Sequence, residues 1–408
     1  MWLSLAPGPL APYTQCMKSA YFDLEEWRTL IINGITGAVA LSLAANVLRN
    51  REVEPRPWTR TETAPFVEIV VPARNEEANI LPLLTSLLRQ QYPPGRYRVT
   101  VVDDHSTDST AALARALEAD YPQLRVLATP PLPEGWTGKN HALWTGAEHA
   151  NPQADWLLFT DADTRHHPLM LPSIVQQATR VRADLLSLII SISMETFWQR
   201  VLVPQVGELY ALLVGSMDAV NGRGKAAAAN GQFILIRPEL YRRTGAAEAV
   251  RSDVAEDRAL AAACKAAGAT VNLQYGRKLV TTEAYNTFAL MWRSYAKTLF
   301  WATGHNTGRA LLAAASLAFY ALVPTAGLVR ALFATNGRTR ARGLRHAALR
   351  LLPMMVLRAA VCKQVGVPLR YAATYPLAVA VANAMLLHSL YSVVSGRGVT
   401  WKGRTYRK

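Results

Sequence analysis

Four short apolar runs, each stopping at a polar or acidic stretch, constrain the fold of this chain more than any other feature. Residues 66–72, FVEIVVP, are β-branched and apolar, and ARNEEANI then opens an amphipathic helix that continues through LPLLTSLLRQQ. Residues 98–104, RVTVVDD, repeat the pattern, and HSTDSTAALARALEA follows with serine and aspartate capping signals before a helix. A third run, LRVLA, leads into the Pro- and Gly-rich loop TPPLPEGWTGKNHAL, and a fourth, DWLLFTDAD, ends on an acidic pair. Strands alternating with helices predict an α/β domain built on a mostly parallel sheet covered on both faces. In such sheets ligands bind at the carboxyl ends of the strands. Residues 73–77, 103–108, 136–139 and 161–163 all fall there.

Those segments carry chemistry. Asp161 and Asp163, two apart on an extended segment, can aim carboxylates at one hard cation, which prefers oxygen ligands and brings substrate phosphates with it. Alone, the pair reads equally as a turn in which short acidic side chains bond their own backbone. The company it keeps decides. Acids at successive strand ends, a lone loop lysine in Lys139 and a metal-type pair form the set that a nucleoside diphosphate requires: a carboxylate accepts a base N–H, the metal bridges two phosphates, and the lysine neutralises what remains. Glu256 and Asp257, by contrast, are explained by position alone as complements to a helix dipole.

Half of the 408 residues are hydrophobic, and the uncharged stretches lie toward the ends. Residues 30–48 carry no charge over about the length needed to cross a bilayer, and Arg49, Arg51, Arg56 and Arg60 follow, so the segment reads as an anchor with its basic flank in the cytoplasm. Residues 310–329 and 371–395 are also long enough to span, whereas 344–369 are interrupted by Arg345, Arg350, Arg358 and Lys363 and suit an interfacial helix as well as a crossing. If 310–329 crosses outward, Arg338, Arg340, Arg342 and Arg345 face outside against the positive-inside rule. A re-entrant 310–329, containing Pro324, with 350–366 as the span resolves this. Residues 197–215 are aromatic and apolar but contain Arg200, Pro204 and Glu208, reading as a core helix or an interfacial one. The net charge of +15 clusters beside hydrophobic segments, which points to anionic lipid rather than nucleic acid. Cys16, Cys264 and Cys362 are too few and scattered for disulfides or zinc.

In order along the chain, VVPARNEE, VVDDHSTDST, WTGKNHAL, LLFTDADTRHHP, AAAANGQFILIRPELY and AEDRALA resemble the successive motifs of family 2 glycosyltransferases, over about residues 66–300. The resemblance implies a GT-A (Rossmann-like) nucleotide-diphospho-sugar transferase domain. GWTGK, ANGQF and the terminal GRGVTWKGRTY are most similar to membrane-bound bacterial members associated with hopanoids and carotenoids. The family's roles then fall on matching residues. Pro72, Ala73 and Glu76 lie along the nucleotide, and Asp103 or Asp104 contacts the uracil or ribose. Asp161 and Asp163 form the Asp-x-Asp motif for Mg or Mn, and Asp257, beside Glu256, is the general base of an inverting displacement. Two departures stand out. Gly245 lacks the second glycine of a Gly-Gly-His motif, with Ala247 at the histidine position, and LMWRSYAKTLFW replaces the Gln-x-x-Arg-Trp motif of processive synthases. Trp292, Arg293 and Lys297 become candidates for diphosphate or acceptor contacts.

The expected organisation is an N-terminal anchor region over 1–60, a cytoplasmic catalytic domain over 61–305, and C-terminal transmembrane or interfacial helices with a basic tail over 306–408. The expected activity is transfer from a UDP-sugar donor to a membrane lipid of isoprenoid type, at the inner face of the cell membrane. Transfer to a polyprenyl phosphate or glycan, or a non-catalytic nucleotide-sugar-binding scaffold, are the alternatives. The tail, with Lys402, Arg404, Arg407 and Lys408, is read as solvated or as folding back toward the site.

Overall fold

The computed structural model describes residues 52–59, 63–214, 217–224, 226–245, 251, 256–283, 286–304, 306–395, 399–401 and 404–406. The expected anchor at 30–48 and the position of Ala247 lie outside them.

The first part of the chain runs β1 (Val67–Ala73), α1 (Ile80–Leu88), β2 (Tyr97–Asp103), α2 (Thr110–Ala116), β3 (Leu124–Ala128), α3 (Gly138–Glu148), β4 (Trp156–Thr160), β5 (Thr164–His166) and α4 (Met170–Arg180). It continues through β6 (Leu185–Ile189), β7 (Ser191–Ile192), α5 (Phe197–Val214), β8 (Phe233–Ile236), α6 (Glu256–Ala266), β9 (Val271–Tyr275), β10 (Val280–Thr282) and α7 (Phe288–Ala302). All four expected strands form. Residues 74–79, expected to begin the first helix, instead make a loop: Asn75 adopts φ +51, a conformation asparagine tolerates, and the helix starts at Ile80.

Seven strands pair in the order β3-β2-β1-β4-β8-β6-β9, parallel except for β8, which runs against both β4 and β6. Strand order reverses beside β1, which opens a crevice at the carboxyl ends of β1 and β4. Alternation along β1 supplies both cores. Val67, Ile69 and Val71 pack with Leu83, Leu84 and Leu87 of α1, while Val70 meets Val102, Ala142 and Phe159 on the other face. Each buried leucine of α1 contributes about 1.5–3 kcal/mol. Helix α3 approaches so closely that a Cβ on Gly146 would sit 2.3 Å from Val70 Cγ1. The antiparallel β8 matters for function: pairing Thr160 with Phe233 brings the turn before β8 to the carboxyl end of β4.

Helices α5 and α7 leave the sheet and share a core with the C-terminal helices α8 (Thr307–Leu317), α9 (Val323–Leu332), α10 (Gly337–Gln364) and α11 (Tyr375–Val394). Residues 197–214 are therefore the inner wall of a helical unit, with Val201, Leu202 and Leu209 against Met291, Leu299, Ala378 and Leu386. A π-turn at Ala318–Leu322 joins α8 to α9, so Thr307–Leu332 is one continuous helix rather than a chain broken at Pro324. The wider turn accommodates a proline that lacks an N–H. Thr307–Leu332 and Leu369–Val394 are long and apolar enough to cross a membrane, by length and composition. Arg358 of α10 is fully buried, donating to Glu208 Oε1 at 3.2 Å and to the Val201 carbonyl, which fastens α10 to α5. Arg277 ties three parts together: it pairs with Glu52 at 2.6 Å, stacks on Tyr275, and donates to the Gln364 carbonyl at 2.9 Å. Val399–Trp401 and Arg404–Tyr406 form an antiparallel hairpin within the expected tail.

Candidate active site

The crevice is built from strand ends. The loop after β1 and the loop after β2 are laced together: the Asn75 side chain accepts from Thr107 N at 2.8 Å, Ser106 Oγ accepts from Asn75 N at 3.0 Å, and Thr110 Oγ1 accepts from Glu76 N at 2.8 Å. His105 mirrors Asn75 with φ +55. This lacing holds Pro72, Ala73 and Glu76 beside Asp103 and Asp104, with Asp104 N donating to the Ala73 carbonyl at 2.8 Å. Asp103 accepts from Ser106 N, and Arg74 reaches the Asp104 carbonyl at 2.6 Å. Both aspartates are buried. The first two motifs thus form one rim.

The second rim gathers from four elements. Asp161 follows β4. Lys139 lies in the first turn of α3, whose N-cap Thr137 accepts from Asn140 N at 3.3 Å. Gly231 precedes β8, and Glu256 and Asp257 open α6. Lys139 Nζ sits 2.8 Å from Asp161 Oδ1 and 2.8 Å from Glu256 Oε1. Asp257 accepts from Gly231 N at 2.9 Å through Oδ2 and from Arg258 N at 2.7 Å through Oδ1. A Cβ at Gly231 would come within 3.2 Å of Glu256 Oε1 and 3.3 Å of Lys139 Nζ, so a side chain there would shift both, and it would touch Asp257 Oδ2 at 3.5 Å. Residue 251 closes the rim, its carbonyl accepting from Thr137 N at 2.7 Å.

Charge crowding sets the protonation. Burial and the neighbouring Glu256 carboxylate push Asp257 up to about 6, against the pull of its two N–H donors and Lys139. Burial also raises Asp161, with Lys139 offsetting part of the effect. Burial alone would lower the Lys139 ammonium, but Asp161 and Glu256 hold it well above its ordinary value. A carboxylate near 6, fixed by two backbone donors, is suited to accept a proton at neutral pH.

Asp163 lies two residues beyond Asp161, and its carbonyl accepts from Thr282 Oγ1 at 3.1 Å. Among the described residues no three His, Cys, Asp or Glu side chains converge into a closed cage. The Asp161–Asp163 pair is an open set of hard oxygen donors, the arrangement that suits Mg²⁺ or Mn²⁺ completed by substrate phosphates. Trp292, a candidate from the sequence, lies in the helical unit instead: its indole donates to His388 Nδ1 at 2.9 Å and neighbours Phe288. Arg293 of the same helix is exposed, and Lys297 is on α7. The Gly231 N–H and Tyr210 were not singled out from sequence. The turn ANG before an apolar run was the signal for the first, while no local pattern marks the second.

A mostly parallel sheet with a strand-order reversal, acids at its carboxyl edge and an Asp-x-Asp turn define the class of α/β domain. Residues 68–244 match the family model "Glycosyl transferase family 2". It is 30% identical over 217 residues to the beta-monoglucosyldiacylglycerol synthase of Nostoc sp., covering 52% of this chain and 44% of that one. It is 36% identical over 130 residues to the 4,4'-diaponeurosporenoate glycosyltransferase of Staphylococcus aureus, covering 32% of each. The match thus spans less than half the length of these relatives. In three dimensions it resembles the mannosyltransferase PcManGT of Pyrobaculum calidifontis, solved with GDP-Man and Mn²⁺, at a TM-score of 0.52 and 19% identity over 90% of this chain and 96% of that one. The GT-A fold is common to both.

Proposed function

We propose that this chain is a membrane-anchored, inverting glycosyltransferase that moves a sugar from a nucleoside diphosphate, UDP in the first instance, to the hydroxyl of a lipid acceptor of isoprenoid type such as a hopanoid or carotenoid. The supporting observation is the position of Asp257, where the nucleotide crevice meets the apolar helices. Arg258, its neighbour, donates to the Ala302 carbonyl at the end of α7 at 3.3 Å, and Tyr210 of α5 is close enough to feel the Asp257 charge. A hydroxyl presented from the helical side can reach the base while its apolar body stays among α5 and α7. The relatives named for diacylglycerol and carotenoid acceptors agree with a lipid substrate.

The rim residues divide the work. Pro72, Ala73, Glu76, Asp103 and Asp104 line the place for the nucleoside. Asp161 and Asp163 would hold a divalent cation, which when bound neutralises charge on the departing diphosphate. Lys139 can turn from Asp161 to a phosphate oxygen. Asp257 takes the proton from the acceptor hydroxyl as its oxygen bonds to the anomeric carbon and the bond from that carbon to the diphosphate breaks, inverting the configuration in one displacement. Glu256 keeps the Lys139 ammonium beside the base. Trp292, Arg293 and Lys297 stand on the helix that would flank the acceptor. The basic flank at 49–60 supports a catalytic domain that faces the cytoplasm.

The test is calorimetry on the detergent-purified full chain with UDP, UDP-sugars and GDP-sugars, with Mn²⁺ and with chelator. Metal-dependent binding of a UDP-sugar is expected. Binding of GDP-sugars alone would overturn the UDP assignment, and binding of no nucleotide by folded protein would overturn the donor reading.

A further inference from the structure

Charge is distributed unevenly along this chain. No aspartate or glutamate follows Glu283, yet 17 of the 44 lysines and arginines do. The 27 basic residues before that point are matched by all 29 acidic ones. The positive charge of the protein therefore lies after Glu283, 12 of these cations between residues 293 and 370 and five in the tail, and the rest of the chain is close to neutral.

Four of these cations share one place. Helices α9 and α10 form a hairpin joined at residues 333–336 and packed tightly near its tip, where a Cβ on Gly343 would lie 2.7 Å from Ala331 Cβ. Arg338, Arg340, Arg342 and Arg345 occupy the first turns of α10, all exposed. The α10 N-terminus is capped by the neutral Asn336 side chain and has no acid in its first turn, so the arginines face their own helix's positive pole. The fold thus gathers like charges where they repel. Directly beyond them, Leu349, Leu352 and Val356 form an outward stripe at helical spacing, 44%, 61% and 62% exposed, and Phe333 at the tip is 82% exposed. At 1.5 Å per residue, Arg345 and Leu352 are about 10 Å apart along the axis, the separation between a phosphate layer and the acyl chains below it.

We propose that the tip of the α9–α10 hairpin is a binding site for anionic phospholipid headgroups, with Arg338, Arg340, Arg342 and Arg345 on the phosphates and the Leu349, Leu352 and Val356 stripe in the acyl region. Charge complementarity selects the occupant. A zwitterionic headgroup offers no net charge to four guanidiniums, whereas a soluble polyanion gives the adjoining apolar stripe nothing to bury against. An arginine near an anionic surface is worth roughly a fivefold preference.

The experiment uses the full chain in mixed micelles containing equal phosphatidylglycerol and phosphatidylcholine, with retained lipid counted by native mass spectrometry. It needs no turnover and is independent of the donor assignment. Wild type should retain phosphatidylglycerol selectively, and R338Q/R340Q/R342Q/R345Q should lose at least about twentyfold of that selectivity, while the corresponding quadruple lysine variant keeps most of it. All four positions are exposed, so the fold tolerates the change. Equal retention of the two lipids by wild type, or unchanged selectivity in the glutamine variant, overturns the assignment.

Discussion

Replacing Asp257 by Asn tests the base assignment, and the structure says what else the change would do. The carboxylate sits at about 6 where a free aspartate sits near 3.8. At neutral pH the fold therefore bears about 3 kcal/mol to keep it ionised. Asn removes that burden. It also loses a bond: both oxygens of Asp257 accept backbone N–H groups, from Gly231 at 2.9 Å and Arg258 at 2.7 Å, and an amide can accept only one while its NH₂ opposes the other. That costs about 1–3 kcal/mol. The two effects nearly cancel, so thermal stability should shift by no more than about 2 kcal/mol in either direction. Transfer is another matter, because loss of a general base removes about 10²- to 10⁴-fold. The assay is the initial rate of labelled sugar transfer from UDP-sugar to extracted lipid by detergent-purified protein, with donor binding followed by calorimetry. The expected result is a rate lower by at least about a hundredfold with donor affinity within roughly threefold of wild type. Full transfer by Asp257→Asn would refute the base. A rate loss matched by an equal loss of donor affinity would assign Asp257 to donor binding instead.

Four further outcomes follow. With Asp257 as the proposed base and its pKa raised to about 6, transfer should fall about tenfold per pH unit below 6 and level off above 7 in a pH–rate profile. The same raised carboxyl contributes stability only while protonated, so its contribution is lost as pH rises from about 4 through 6. Lys139→Met removes the ammonium shared by Asp161 and Glu256; donor affinity measured by calorimetry should weaken roughly tenfold, the worth of one charge-assisted bond, and the acid limb of the profile should move to higher pH. Asp163→Ala should abolish most of the difference between Mn²⁺ and chelator in donor binding, so an undiminished metal effect would remove Asp163 from the cation site. Gly231→Ala must push Glu256 or Lys139 by several tenths of an ångström, and should lower kcat about tenfold while leaving the donor KM nearly unchanged.

The grouping of the strand-end residues is legible in the sequence because its signals are local. A β-branched run ending in acids reads as a strand end, and parallel strands place successive ends on one edge, so Ala73, Asp103 and Asp161 could be grouped without coordinates. The start of α1 was misplaced because ARNEEAN has helical composition, while the lacing to Ser106 and Thr107, thirty residues away in sequence, holds Asn75 in a turn. The continuity of Thr307–Leu332 through Pro324 is not legible in the sequence, since the π-turn before the proline has no sequence signature. Tyr210 was invisible for a similar reason: its relation to Asp257 depends on α5 turning away from the sheet and packing against α7, a tertiary fact.

The base side was the least legible, and the antiparallel β8 explains why. A parallel strand delivers only its carboxyl end to the crevice, so a doubly wound sheet by itself offers donor contacts and little else. Reversing one strand beside β4 delivers an amino end as well, and the Gly231 N–H with it. That donor holds Asp257, while Lys139 joins Glu256, the residue before it, to Asp161. In chain order β8 stands between α5, before it, and α6 and α7, after it. The elements that would meet the acceptor are thus covalently close to the residues that position the base, while the donor rim belongs to a separate, earlier stretch of chain. Changes in α5 and α7 should therefore alter acceptor choice, read as the KM for lipid, with donor affinity held constant. A Tyr210→Phe variant, which deletes a hydroxyl of α5 near Asp257, should raise the lipid KM several-fold and leave UDP-sugar binding as it was; weakened donor binding in that variant would show that the two halves are not separable.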